Sequence, residues 1–357
     1  MRGRRASLIL SLLMTAALIY LLPGLLGSLG GGDGNRMDER LRPAQMRTLT
    51  VWLMPGAVND RKLLNEACAA FEKEYPGVRV FLRTVTAEEW TAPDAVLPDV
   101  ALLATGSLNI PEKVLLPLAG MGEAGASGRS GGIDYALPLW LEANVLSLPT
   151  EWVEPAATAQ PAPGSLLASP PPEAEASGMA AAENLPWRKL LEPGALALPQ
   201  GVALQQLMFV CPAQIRGELA ALGAHAEAGA SQARVCTLGE HLAALRGGEA
   251  RVACLLAPAV SDRVRYAALT RDGEDARAFI GMLASDSWQA RAAAADMIPA
   301  LVQDGAGNEI TRTALERFSQ GMTLPNAFAH TVQELQSLCL DAFVRAADPV
   351  ETLLRLR

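Results

Sequence analysis

Residues 48–85, TLTVWLMPGAVNDRKLLNEACAAFEKEYPGVRVFLRTV, switch between two hydrophobic periods, and that switch restricts what the chain can fold into. Residues 48–54 form a short β-branched and apolar run closed by Pro55 and Gly56, the pattern of a strand buried in a parallel sheet. Asn59 or Asp60 can cap the helix that follows. Leu63, Leu64, Ala67, Cys68 and Phe71 fall on one face of that helix, and Pro76-Gly77 stops it. Val78, Val80 and Leu82 then alternate with Arg79 and Arg83, so the second strand buries one face and a parallel neighbour is its natural partner.

Further along, residues 97–103, 195–199, 251–257 and 263–269 read as strands between helical segments at 205–210, 215–222, 238–245 and 276–283. Alternation of this kind predicts an α/β fold with mostly parallel sheets flanked by helices. At 357 residues, half of them apolar, the chain can build one large or two medium cores. The net charge of -8 excludes a phosphate-backbone binder, which needs a basic face, so nucleic acid is not an expected partner.

Residues 154–186 break the pattern with Pro161, Pro163, the triplet at 170–172 and many Ala, Ser and Glu residues, a composition that cannot bury enough apolar area to offset chain entropy. This stretch reads as a linker. At the N-terminus, Arg2, Arg4 and Arg5 precede the uncharged residues 6–32, apolar as far as Leu26. Positive charge before an apolar run marks an export segment, a signal peptide or a retained membrane anchor, with the anchor favoured because no A-x-A cleavage site follows. Residues 31–46 form a flexible spacer.

The chemistry-bearing residues are sparse. Cys68, Cys211, Cys236, Cys254 and Cys339 show no metal-ligand spacing and read as small buried hydrophobes. His225, His241 and His330 lack a partner at i+3 or i+4 and no Ser or Cys partner is evident, so a structural role is expected. Residues 303–309 offer oxygen atoms without the full calcium-loop spacing and read as a solvated turn. No metal, cofactor or catalytic residue is expected.

The segments TLTVWLM and AAFEKEYPGVRV resemble the opening of the extracellular solute-binding proteins of bacterial ABC importers, sugar-binding family 1. Later segments agree in order. LPDVALL at 97–103 resembles the family's Pro-Asp strand, which ends at the ligand cleft, and YALP at 135–138 resembles the strand before the first crossing between lobes. RGGEA at 246–250 resembles a turn of the second lobe. The A-x-x-F-I-x-x-L pattern at 276–283, SDSWQ at 285–289 and Ile298-Pro299 resemble a further block of the family. The lipobox cysteine usual in Gram-positive members is missing.

The resemblance implies a two-lobed periplasmic-binding-protein-like fold. Lobe 1 would span 47–153, lobe 2 would span 187–262, and 263–357 would return to lobe 1 with C-terminal helices. It further implies a small solute, carbohydrate by family, captured between the lobes of a monomer and passed to ABC permease subunits, with the N-terminal segment holding the protein at the outer face of the membrane or the protein secreted. Ligands of open α/β sheets lie outside the carboxyl ends of strands, here Trp52, Met54, Thr105 and Gly106. Trp52, Trp140 and Trp288 offer stacking faces, and Glu142 or Gln200 can hydrogen-bond hydroxyl groups. The same tryptophans fit a packed core. Two other readings stand beside transport: a membrane-anchored interaction or structural protein that keeps the fold without its ligand, and an exported hydrolase.

Overall fold

The structure, a computed structural model, describes residues 46–54, 58–92, 95–121, 126–153, 185–223, 232–256, 262–301 and 326–356. The expected export segment and spacer up to residue 45, most of the Pro/Ala-rich stretch, His225 and the expected turn at 303–309 lie outside the described residues. Among the described residues, no helix is long and apolar enough to cross a membrane.

The first unit is as the periodicity predicts: β1 (Arg47–Leu53), α1 (Arg61–Glu74) and β2 (Val78–Thr84). A short α2 (Ala87–Thr91) leads to β3 (Val100–Ala104). Asp99 explains the Pro-Asp pair in front of that strand. Its carboxylate accepts from both the backbone N–H and the hydroxyl of Thr50, each at 2.7 Å, while its own N–H donates to Thr50 Oγ1 at 3.0 Å. These bonds pin the parallel register of β1 on β3, with Val51 opposite Val100.

A small hairpin, β4 (Arg129–Ser130) and β5 (Ile133–Asp134), precedes β6 (Ala136–Leu141) and β7 (Asn144–Pro149). The chain then runs through α3 (Trp187–Leu190), β8 (Leu196–Ala197), α4 (Val202–Val210) and α5 (Arg216–Gly223). Next come β9 (Ala233–Thr237), α6 (Leu238–Arg246), β10 (Arg251–Leu255) and β11 (Val264–Leu269). It closes with α7 (Glu274–Ala284), α8 (Asp286–Ala294), β12 (Ile298–Pro299), α9 (Val332–Val344) and α10 (Pro349–Leu356). The five residues of β9 follow a small, polar stretch that shows no period, which is why the pattern does not predict it.

Besides the β4-β5 hairpin, two larger sheets result, one per lobe. Lobe 1 holds β12-β6-β11-β3-β1-β2 and lobe 2 holds β10-β7-β9-β8. The pairing is mixed rather than mostly parallel. Among the described registers only β1 with β3 and β8 with β9 are parallel. The reason is connectivity: β11 returns from lobe 2 and inserts between β3 and β6, antiparallel to both. The lobe boundaries also move. The chain leaves lobe 1 at residues 142–143, so β7 belongs to lobe 2, pairing with β9 and β10. At the C-terminal end, Phe343 of α9 joins the lobe 2 core with Leu204, Leu207 and Met208, so α9 packs on lobe 2 rather than returning to lobe 1.

The central strands β1, β3, β6 and β11 of the lobe 1 sheet divide their side chains between two cores. Val51, Leu102, Leu139 and Ala267 face α1, α7 and α8, meeting Leu64, Phe71, Phe279, Ile280 and Trp288. Trp52, Leu103, Tyr266 and Ala268 point the other way, into an apolar cluster that continues into lobe 2 through Val145, Leu238, Leu242 and Leu255.

Asp60 occupies the N-cap position of α1 but makes no side-chain cap bond. Its carboxylate instead receives the Arg265 guanidinium, Nε to Oδ2 at 2.7 Å and Nη2 to Oδ1 at 3.0 Å, and the Trp140 indole N–H at 2.9 Å. Arg265 Nη1 also donates to the Met54 and Leu102 carbonyls at 3.0 and 3.3 Å. Arg265 and Asp60 are each 1 % exposed. Removing one partner of such a pair leaves a bare buried charge, so Asp60→Ala is expected to lose about 3–5 kcal/mol of unfolding free energy in urea titrations. Combining it with Arg265→Met should lose clearly less than the sum of the two single changes.

Candidate ligand cleft

The two crossings between lobes lie side by side and are bonded to each other. Glu142, in the first, donates its backbone N–H to the Arg263 carbonyl of the second at 3.0 Å. Its Oε2 takes Arg263 Nη1 at 3.5 Å, and its Oε1 accepts the Asn59 N–H, just before α1, at 3.0 Å. Burial raises the Glu142 carboxyl above its ordinary range, against the Asn59 amide and Arg263, which lower it. Glu142 is thus a hinge residue. Its oxygens are committed to the backbone and side chains that join the lobes.

Beside this hinge opens a cavity of about 570 Å³. Ala104 and Thr105 at the end of β3 form its lobe 1 wall, and Asn144, Pro199–Gly201, Ala203, Val235, Cys236 and Glu240 its lobe 2 wall. Asp262 and Arg263 of the second crossing and Val332, Leu335 and Gln336 of α9 complete it. Among these residues none is aromatic. Thr105 is 3 % exposed, with its hydroxyl beside that of Tyr266. Asn144 Nδ2 donates to Gln206 Oε1 at 2.9 Å, which fixes the amide's orientation on the wall. Burial raises the Asp262 carboxyl, with Arg263 pulling it down by a smaller amount.

Of the residues that the sequence nominates, Thr105 and Gln200 line this cavity. Trp52, Met54, Gly106, Trp140 and Glu142 do not. Trp52 packs edge-on against Trp90, with ring centroids 5.7 Å apart, under the Arg83 guanidinium. Met54 is buried in the same cluster, joined there by Ala327 and Phe328. Trp140 is wholly buried and bound to Asp60, and Trp288 is buried beneath Arg291. The expected stacking faces are therefore core. Sequence reading missed Asp262 and Asn144, because neither has a motif around it; both are placed by the lobe crossings.

Segment 326–332 packs against the end of β3. The Gly106 N–H donates to the Ala327 carbonyl at 3.0 Å. Gly106 has a φ of 74°, and a Cβ there would lie 2.8 Å from Val332 N and 2.9 Å from the His330 carbonyl. Thr331 then starts α9 with a capping box to Glu334. The segment thus closes over the strand ends of β1 and β3. Gly106→Ala combines left-handed strain with a backbone clash and should destabilise the fold by about 2 kcal/mol or more in thermal or urea melts.

Lobe 2 holds a serine–histidine pair that the spacing did not reveal. Ser147 Oγ lies 2.9 Å from His241 Nδ1 and accepts from Arg251 Nε at 2.7 Å. Both residues are fully buried and neither lines the cavity, so the pair has no route to a substrate. Burial first, then Arg251 and Arg234, lower the His241 pKa to about 4. The unfolded chain binds this proton below about pH 6.5 and the folded chain only below about 4, so stability is full above 6.5 and is lost as pH falls through that window. The loss should be on the order of 3 kcal/mol at pH 4 in urea titrations, with His241→Gln flattening that part of the profile.

No family model and no curated protein sequence matches the chain. Its fold does match solved structures. The sugar-binding protein MalE from Xanthomonas citri superposes with a TM-score of 0.58 at 14% identity, over 87% of this chain and 95% of that one. The GacH receptor of Streptomyces glaucescens, solved unliganded and with acarbose, gives 0.53 at 14% identity over 87% and 96%. Thiaminase I from Bacillus thiaminolyticus gives 0.50 at 15% identity over 86% and 99%. At these identities the likeness establishes the two-lobed fold of the periplasmic binding proteins.

Proposed function

We propose that this chain, built on the two-lobed periplasmic-binding-protein fold, captures a small polar solute between its lobes and presents it to the permease of an ABC importer. One observation carries the reading: a single cavity is walled by both lobes, the second crossing and α9, and its volume falls within the roughly 300–1,000 Å³ of small-molecule sites. Binding there would hold the lobes together, the differential interaction that ligand-driven closure needs. Thr105, Asn144, Gln200 and Gln336 supply hydrogen-bonding groups on three sides. Such a wall suits a hydroxyl-rich solute of the carbohydrate class, recognised by hydrogen bonds instead of by aromatic stacking. The export segment would place the protein at the outer face of the membrane, anchored through residues 1–30 or released.

Catalysis is less well supported. Cys236 is the thiol on the wall, and burial raises its pKa to about 11, opposite to what a nucleophilic thiolate requires. The reading as an interaction protein draws on the strand ends covered by segment 326–332 and on the tryptophans withdrawn into the core.

A thermal-shift screen of the full-length chain against sugars, amino acids and polyamines separates these readings. A cleft ligand at a hundred times its Kd should add about 2.7 kcal/mol and raise the melting temperature by several degrees. Asn144→Leu on the wall should reduce that shift. A chain that melts at one temperature throughout the screen would instead favour the interaction protein, and turnover of a glycan would favour the hydrolase.

A further inference from the structure

Three charged side chains line the cavity, and two are committed elsewhere. Glu240 Oε2 accepts the Thr237 N–H at 2.8 Å in the capping box of α6. Arg263 donates to Glu142. Asp262 differs: apart from its own backbone amide, no donor among the described residues reaches its carboxylate. Its Oδ2 lies against the start of α4, 3.9 Å from where a Cβ on Gly201 would be, and the positive φ of 62° at Gly201 favours a residue without a Cβ. On the lobe 1 wall the Thr105 hydroxyl is buried beside the Tyr266 hydroxyl and has hydrogen-bonding capacity left for a ligand.

The wall is therefore short of positive charge. Arg263 is balanced by Glu142, which leaves Asp262 and Glu240 as net negative groups facing the space. Asp262 is half-buried, and among the described residues only Arg263, itself bonded to Glu142, offsets the water its carboxylate gives up, so a ligand cation would strengthen that compensation. We propose that the cleft selects a small solute carrying a protonated amine among hydroxyl groups, such as an amino sugar, with Asp262 as its counter-ion and the Thr105 hydroxyl as a hydrogen-bond partner. This rests on the solute-binding reading above and assigns the class of solute.

The test is calorimetric titration of the full-length chain with matched pairs, glucosamine against glucose and putrescine against 1,4-butanediol. At least one amine should bind about tenfold or more tighter than its neutral counterpart, and Asp262→Asn should erase that preference. The ligand-free Asp262→Asn chain should melt about 2 °C higher, because a carboxylate that Arg263 compensates only in part has been removed, whereas a structural aspartate would lower the melting temperature. Equal binding of amine and neutral partners, or a lower melting temperature in Asp262→Asn, would overturn the amine assignment and leave solute binding standing. No binding by these four compounds, nor by neutral hexoses and amino acids, would overturn both.

Discussion

The buried ion pair of Arg265 with Asp60 ties together more of the molecule than any other interaction. Arg265 enters on β11, the strand that returns from lobe 2, and reaches the Met54 and Leu102 carbonyls beyond β1 and within β3. Asp60 fixes the start of α1 and, through Trp140, holds β6. Five elements of lobe 1 converge on one carboxylate and one guanidinium. The bidentate geometry and the extra donors and acceptors satisfy both charges, the condition under which burial of an ion pair is tolerated. That arrangement requires β11 to lie between β3 and β6, so the pair also specifies the topology of the sheet.

The same network explains the position of the cleft. Trp140 donates to Asp60 and Trp52 packs on Trp90, so neither ring is available to a ligand. Phe328 and Ala327 complete the apolar cover over the ends of β1 and β3. The open space is left where the lobes are joined by polar chain crossings rather than by apolar packing. A continuous apolar cluster from Trp52 to Leu255 links the lobes on the other side, and separation there would expose it to water.

Much of lobe 1 is legible from periodicity. The faces of α1 and α7, the alternation in β2 and the strand at β3 all follow from where apolar residues fall. The site is hardly legible. Thr105 is nominated by the rule that ligands lie beyond strand ends, and Gln200 by its polarity alone. Asp262 and Asn144 acquire meaning only because two chain segments more than a hundred residues apart cross at one hinge, a pairing that no local pattern records.

The amino-acid sequence by itself determined that the chain is α/β and which helix and strand faces are apolar, because each depends on local period. Tertiary structure alone decided that β11 runs antiparallel between β3 and β6 and that α9 packs on lobe 2. It also decided that Asp60 is an ion-pair partner instead of a helix cap, and that the tryptophans are core while an aspartate faces the cleft. The physical reason is that burial, pairing and charge compensation are properties of groups brought together in space, and those groups are drawn from distant parts of the chain.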